Sequence, residues 1–290
     1  MKNFTAKLLL LCSVLVAVQF FETSAEEKFN WSNSRKIAKG VLYTQWEKNQ
    51  PRLMKIFAVR IDLSNPKLKF HITGKAENWG EKMPDHPKSI IRTKRETTLD
   101  FLKKARKNKI KMVAAFNASP WSPWEKPFTH TYADRLGLII SNGELVSMPN
   151  GRASLIIDKK GQIYMDSIKK DADISNIANA VTGFSFVLRQ GVVSGADKAL
   201  APRTGYGLSK DKKYLYIFVV DGRQPKYSMG MTHKEVGDFL KYLGAFDGIN
   251  MDGGGSSSMV LFRKGKVKMV NQQPGKSMRK VGSSLGISVE

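Results

Sequence analysis

Apolar residues recur along the chain in two spacings, and each spacing predicts a kind of element. "LMKIFAVRIDL" (Leu53 to Leu63) and "KLKFHIT" (Lys67 to Thr73) are short β-rich runs parted by Ser64-Asn65-Pro66, so they predict two strands. The segment from Trp79 to Lys88 contains Pro84 and Pro87 and is expected to be a loop. Thr93 with Glu96 matches a capping box, and Leu99, Leu102 and Ala105 repeat on one helical face up to Asn108. "IKMVAAFN" follows at once and predicts a buried strand ending at Asn117. Hairpins are expected around Asn142-Gly143 and around Gly161, a strand or pair of strands over 183–194, and two strands about the polar turn Lys210 to Lys213. Residues 26–50 are polar, with Trp31 and Trp46, and are expected to form a loosely packed lead-in.

The most regular unit lies near the C-terminus. "YLYIFVVDGR" reads as a buried strand ending at Asp221. Thr232 and Glu235 form a second capping box, and Val236, Phe239, Leu240 and Leu243 mark one helical face that stops at Gly244. "FDGINM" then reads as a short strand ending at Asp252. Strand, helix and strand in that compass predict a βαβ unit whose two strands run parallel, which places Asp221 and Asp252 at neighbouring carboxyl ends. Asn117 ends its own strand in the same way. The predicted fold is α/β to α+β: a mixed central β-sheet with a C-terminal βαβ unit, several β-hairpins and flanking helices. No repeat, low-complexity linker or break in composition divides residues 26–290, so a single domain is expected.

The first 25 residues change the picture of where this fold works. Lys2 and Lys7 precede an apolar run from Leu8 to Phe21 and a small-residue end at Ala25, the pattern of a secretory signal peptide. Cys12 is the chain's one cysteine and lies inside that leader, so the remaining chain has no disulfide or thiolate metal site. Removal of the leader, with two lysines and Glu22, takes the net charge from +23 to +22. A field of that sign favours anionic envelope polymers, acidic glycans and other polyanions. A secreted or periplasmic location is expected, with no membrane span after the leader is removed.

Chemistry concentrates in "GINMDGGGSSSMV". Three consecutive glycines let the backbone turn sharply and present N–H groups to an anion, and Ser256 and Ser257 add hydroxyls. Two aspartates, each followed by glycine at a strand end, supply the carboxylates that glycosyl transfer to water requires. Arg203, Arg223 and Arg279 offer paired donors matched to phosphate oxygens. A lone Asp-Gly after a strand is ordinarily a turn, and a lone arginine in so basic a chain is ordinarily surface charge; the bracketing of one βαβ unit by two Asp-Gly pairs favours function. Trp121 and Trp124, among prolines, either stack on a sugar or pack against the sheet. "QQPGKS" has Val270 where a P-loop needs glycine, no G-x-S-x-G surrounds the serines, and the four histidines lack metal-ligand spacing. No cofactor or metal is expected, and a divalent cation between Asp221 and Asp252 is disfavoured by the basic surroundings.

Taken together, "PRTGYG", "VVDGRQPKYSMGMTHKEVGDFLKYLGAFDGINMDGGGSSSM" and "RKVGSSLGIS" resemble the phosphodiester glycosidase family, the bacterial relatives of the mammalian uncovering enzyme. The resemblance runs from about Val113 to the C-terminus. It implies hydrolysis of a sugar 1-phosphodiester in envelope or extracellular glycans, exopolysaccharide included. The family's motif residues fall on Arg203, Thr204, Asp221, Arg223, Asp252, Gly253, Gly254 and Ser256, with Asp252 and Asp221 as the catalytic pair. Asn117 and Arg279 join the substrate-binding set from their own positions in the chain. The chain departs from the family pattern at Ala118, where glycine is common, and at Ser283, where asparagine is frequent. The competing readings are a non-catalytic module for anionic glycans and a phosphodiesterase that cuts the P–O bond; specific nucleic-acid binding is not expected.

Overall fold

The computed structural model describes residues 28–275 and 277–290; the leader and Cys12 lie outside them. In chain order the elements are β1 (Arg35–Ala38), β2 (Val41–Lys48), β3 (Met54–Asp62), β4 (Leu68–Ile72), β5 (Lys82–Met83), β6 (His86–Ile90), β7 (Thr93–Lys94), α1 (Thr98–Lys107), β8 (Met112–Asn117) and β9 (Tyr132–Ala133). They continue with β10 (Ile139–Ser141), β11 (Glu144–Ser147), β12 (Ala153–Asp158), β13 (Ile163–Ser167), β14 (Ile177–Thr182), β15 (Ser185–Arg189), β16 (Val192–Val193), β17 (Arg203–Leu208) and β18 (Tyr214–Val220). The last are α2 (His233–Leu243), β19 (Asp247–Asn250), β20 (Met259–Arg263), β21 (Lys266–Met269) and β22 (Ser284–Val289). Strands predominate and only two α-helices occur among the described residues, so the fold is α+β.

Three large sheets carry it. One has the order β1-β2-β3-β18-β17-β19-β15-β16, the second β21-β20-β8-β22-β4 and the third β11-β10-β14-β12-β13. Their inner faces meet in one apolar core, and this explains the unbroken hydrophobic runs in the sequence. On β3, Phe57, Val59 and Ile61 face that core while Ile56 and Ala58 face the opposite way; on β18, Leu215, Ile217 and Val219 alternate with Tyr216, Phe218 and Val220 in the same manner. The second set packs under α2 through Val236, Phe239, Leu240 and Leu243. A strand buried on both faces loses its polar alternation. α1 covers the outer face of the second sheet, with Leu102 and Ala105 against Met112, Ala115 and Val260.

The second capping box forms as expected: the Thr232 side chain accepts from the Glu235 N–H, the Glu235 carboxylate accepts from the Thr232 N–H, and Gly244 closes α2 in the left-handed region at φ 109°. The expected hairpins form at Asn142-Gly143, with both residues at positive φ, and at Gly161. Four expectations change. The polar lead-in is built into the sheet: β2 pairs with β3 over eight residues, and Trp31 and Tyr43 are buried. The expected loop at 79–88 holds the small β5–β6 hairpin. Thr93 is not a helix cap but lies on β7 with its hydroxyl on the Gly282 carbonyl; Thr97 caps α1 one turn later by accepting from the Asp100 N–H. Finally, β18 and β19 are parallel but not adjacent, because β17 lies between them and pairs antiparallel with both. The two carboxyl ends still open on one sheet edge, now with the start of β17 between them. Among the described residues no helix is long and apolar enough to cross a membrane.

Candidate active site

That edge gathers Asp221 after β18, Pro202 and Arg203 at the start of β17, and Asp252 after β19. β8 ends beside them. Its last residue, Asn117, is wholly buried and works as a joint: its amide donates to the Asp252 carbonyl (2.7 Å), and its side-chain oxygen accepts from the Thr204 hydroxyl (2.8 Å) and the Ser258 N–H (2.9 Å). Asn117 and Thr204 therefore fix where the glycine loop leaves the sheet, with their side chains bonded within the protein. Arg203 is also committed. Its Nε donates to the Met231 carbonyl (3.0 Å), its Nη2 to Asp197 (2.9 Å) and the Ala199 carbonyl (2.7 Å), and its Nη1 meets His233 Nε2 at 2.7 Å. Burial, then Arg203 itself, pushes the His233 pKa down, so the neutral ring accepts that last bond. The expected phosphate ligand is a strut beneath the loop.

Asp221 is anchored as well. Its carboxylate accepts from the Asn271 side chain (2.9 Å) and from the Gln272 N–H (2.9 and 3.0 Å), with Tyr227 alongside; burial nevertheless pushes its pKa up to about 6. Asn271 passes the connection on, donating to the Ser257 carbonyl (3.0 Å) and accepting from the Met259 N–H (2.8 Å). The expected catalytic partner thus ties the segment leading to Arg279 onto the serines of the glycine loop. Ser228 secures it from behind by donating to the Asp221 carbonyl (2.6 Å).

Asp252 is the contrasting case. It is buried, one carboxyl oxygen accepts only from the adjacent Gly253 N–H (2.9 Å), and the other makes no well-formed hydrogen bond. The Ser256 hydroxyl and the Trp121 indole face this carboxyl and favour its charge, as does Arg279, but burial outweighs them and raises the pKa to about 7. Ser256 Oγ, Ser257 Oγ and Trp121 Nε1 are likewise buried without a formed bond. Asp252 Oδ2, Ser256 Oγ and Trp121 Nε1 thus lie against one another without ideal geometry, and a ligand's polar groups could complete their bonding.

The glycines explain how two cations come down onto this loop, one of them, Arg279, close enough to act on the Asp252 carboxyl. A Cβ on Gly254 would lie 3.0 Å from Arg223 Nη1, and one on Gly255 would lie 2.6 Å from Arg279 Cζ, so both guanidinium groups rest directly on bare backbone. Gly254 also needs its positive φ of 59°. Arg223 itself sits in the left-handed region at φ 58°, an unfavourable state for a side chain of that size and one that accumulates at functional sites. Arg279 passes over the rings of Phe128 (4.8 Å) and Trp124 (5.3 Å). The two tryptophans divide the alternatives between them: Trp121 is packed at 5% exposure, whereas Trp124 is 54% exposed beside Arg279.

Sequence reasoning passed over Asn271, Gln272, Phe128 and Arg95. Arg95 is buried, donates to the carbonyls of Phe128, His130 and Lys280, and lies 4.1 Å from the Trp121 ring, so it props the indole against the site. The polar run "NQQ" before Arg279 was the only signal for the Asp221 anchor. No group of three or more His, Cys, Asp or Glu able to hold a metal ion occurs among the described residues.

The geometry therefore presents one uncommitted carboxyl, two guanidinium groups laid on a glycine loop and an aromatic wall. The profile of the phosphodiester glycosidases matches residues 111–288, which holds every one of these groups. The chain belongs to the phosphodiester glycosidase family. Among solved structures, this family member is similar to the catalytic domain of zebrafish N-acetylglucosamine-1-phosphodiester alpha-N-acetylglucosaminidase, auto-inhibited by its pro-peptide, with TM-score 0.64 and 22% identity over 91% of this chain and 87% of that one. It is similar also to a hypothetical protein of Synechocystis (TM-score 0.58, 12% identity, 87% and 63% of the chains) and to a Burkholderia pseudomallei protein (0.55, 15%, 81% and 74%). No curated protein matches the chain significantly.

Proposed function

We propose that this phosphodiester glycosidase is an exported hydrolase that cleaves the bond between the anomeric carbon of a sugar and a phosphodiester oxygen. The observation that carries the reading is the Asp252 carboxyl, buried with one oxygen unsatisfied, beside Arg279 on the glycine loop. Arg223 and Arg279 hold the phosphate, and the N–H groups of the loop add donors to it. Asp252, deprotonated, takes a proton from water as that water attacks the anomeric carbon. The C–O bond breaks with its electron pair on the phosphate oxygen, and a phosphate monoester departs as an anion. Its second pKa near 6 means that little general-acid assistance is required, and the two guanidinium groups stabilise the charge as it grows. One carboxyl suffices for such a single displacement, which fits the commitment of Asp221 to a structural anchor. Asp221, Asn117, Thr204 and Arg203 act by position.

The neighbour from zebrafish names a phosphodiester-linked α-N-acetylglucosamine as the first substrate to try. Hydrolysis of its methyl phosphodiester in ¹⁸O-labelled water is expected to place the label on the sugar, with the β anomer formed first. Label in the phosphate would instead identify a phosphodiesterase cutting the P–O bond, and binding without turnover a glycan-binding module; either result overturns the proposal.

A further inference from the structure

The active-site groups use few of the positive charges that dominate this chain, and many of the rest gather on one lobe. α1 and the β20–β21 hairpin pack together around Leu102, Ala105, Val260 and Val267. Six cations lie between Lys103 and Lys111 and four between Arg263 and Lys268, and neither stretch contains an acidic residue. Leu102 and Ala105 point inward and Lys103, Lys104 and Lys107 outward; on β21, Lys266 and Lys268 are exposed while Val267 and Met269 turn toward α1. The carboxylates that border the lobe are few: Glu96 and Asp100 at the start of α1, and Glu290, which is paired with Lys69 and lies near Lys111. Beyond the tip, Arg35 joins Arg263 beside Tyr43 and prolongs the strip.

Lysines on an edge strand discourage sheet-to-sheet pairing, and that accounts for Lys266 and Lys268 taken alone. It does not account for the matching charge of α1, which is not an edge. A soluble surface ordinarily intersperses both signs, and a field of one sign costs self-repulsion that a bound polyanion relieves.

The lobe is continuous with the catalytic loop. Thr98 at the head of α1 shares a hydrogen bond with Ser258 (2.7 Å), and β20 begins at Met259, directly after the loop serines. From there α1 and β20 both run away from Asp252, for about 15 Å each at their usual rises per residue. The charged track therefore starts at the site and leads outward.

From this arrangement we propose that the α1–β20–β21 lobe docks a polymer of repeated phosphodiesters, holding neighbouring phosphates of a chain that presents a sugar joined through its anomeric carbon to phosphate at the site. The inference rests on the proposed hydrolysis for the substrate's chemistry, but docking is measured without turnover. The test is binding of the full chain to poly(glycerol phosphate) at rising NaCl, with two charge-matched variants: Lys103→Glu, Lys107→Glu, Lys266→Glu and Lys268→Glu on the lobe, and Lys159→Glu, Lys160→Glu, Lys169→Glu and Lys170→Glu on exposed positions of the third sheet and the loop after it. The lobe variant is expected to lose roughly tenfold or more in affinity at low salt and the control less than about threefold, with wild-type binding falling steeply as salt rises. Equal losses would show that net charge alone attracts the polymer and would overturn the inference. So would tighter binding of duplex DNA than of the polyol phosphate. Turnover of the small methyl phosphodiester is expected to be unchanged in the lobe variant. If that diester is not hydrolysed by the wild type, the catalytic proposal fails while the polymer titration still decides the docking one.

Discussion

Replacing Asp252 by asparagine separates the two roles that its burial implies. In the wild type the carboxyl's pKa rises from its ordinary 3.8 to about 7, and burial is the main cause. An acid that holds its proton more tightly when folded loses stability as pH rises: between the two values the native state binds more protons than the unfolded one, so the unfolding free energy falls with pH. The loss begins near pH 4 and is complete a little above 7. Each pH unit of displacement corresponds to ~1.4 kcal/mol, so the full cost has a ceiling of about 4 kcal/mol, and on the order of 2–4 kcal/mol is a reasonable range.

Asp252→Asn removes the charge and keeps the shape, including an oxygen for the Gly253 N–H. At pH 8 the variant is therefore expected to melt roughly 4–16 °C above the wild type, at about 2–4 °C per kcal/mol for a chain of this size. At pH 4, where both side chains are neutral, the difference should shrink to within a few degrees. Asp221 is displaced in the same direction, to about 6, but it is common to both proteins and cancels. Turnover should fall by about a thousandfold or more, since the proposed water-activating group is gone, and the wild-type kcat/KM should rise with pH to a plateau above about 7. Calorimetry at the two pH values and hydrolysis assays on the same preparations check this. A variant that melts below the wild type at pH 8, or that retains turnover, refutes the reasoning.

Gly255→Ala should push Arg279 off the loop, because the new Cβ would lie 2.6 Å from its guanidinium carbon; kcat/KM is expected to fall roughly 10–100-fold with little change in melting temperature. Asn271→Ala removes the bridge between Asp221, Ser257 and Met259 and leaves buried groups unpaired, so urea titration should show a loss of about 2–4 kcal/mol. Trp124→Ala, at a half-exposed position, should leave folding intact and raise KM for a sugar phosphodiester by about fivefold to tenfold, measured by initial rates.

The parts of the fold that could be read from sequence were those fixed by local chemistry. The Thr232-Glu235 box, the Gly244 cap and the Asn142-Gly143 turn each depend on a few adjacent residues, and each stands where it was expected. The insertion of β17 between β18 and β19 was not legible, because strand order depends on which apolar faces meet across the whole core. The cap expected at Thr93 was displaced because its hydroxyl is bonded to a carbonyl nearly two hundred residues away, a contact no local pattern reveals, and Thr97 caps the helix instead. For the candidate site, residue types anticipated that Asp221, Asp252 and the glycine loop meet on one edge of the sheet, but not how each is bonded there. Nothing in "PRTGYG" or "VVDGR" tells that Arg203 and Asp221 spend their polar groups on the protein itself, since Met231, Ala199, Asn271 and Gln272 come from other segments.

That division of roles has a physical logic. A carboxylate that must activate water cannot also be satisfied by fixed donors, because each hydrogen bond to the charged form lowers its pKa and its basicity. Asp221, bonded by Asn271 and Gln272, has been made an anchor; Asp252, with one oxygen open, keeps a pKa near neutrality at a cost to the fold. The cost persists because the bonds of Asn117, Thr204 and Arg203 fix the strand ends and oppose a relaxation of the loop that would satisfy Asp252, Ser256 and Ser257 from within. A bound sugar phosphodiester, with hydroxyls and anionic oxygens, can supply those missing partners. The buried struts and the unsatisfied loop are thus one device: the first hold the second open.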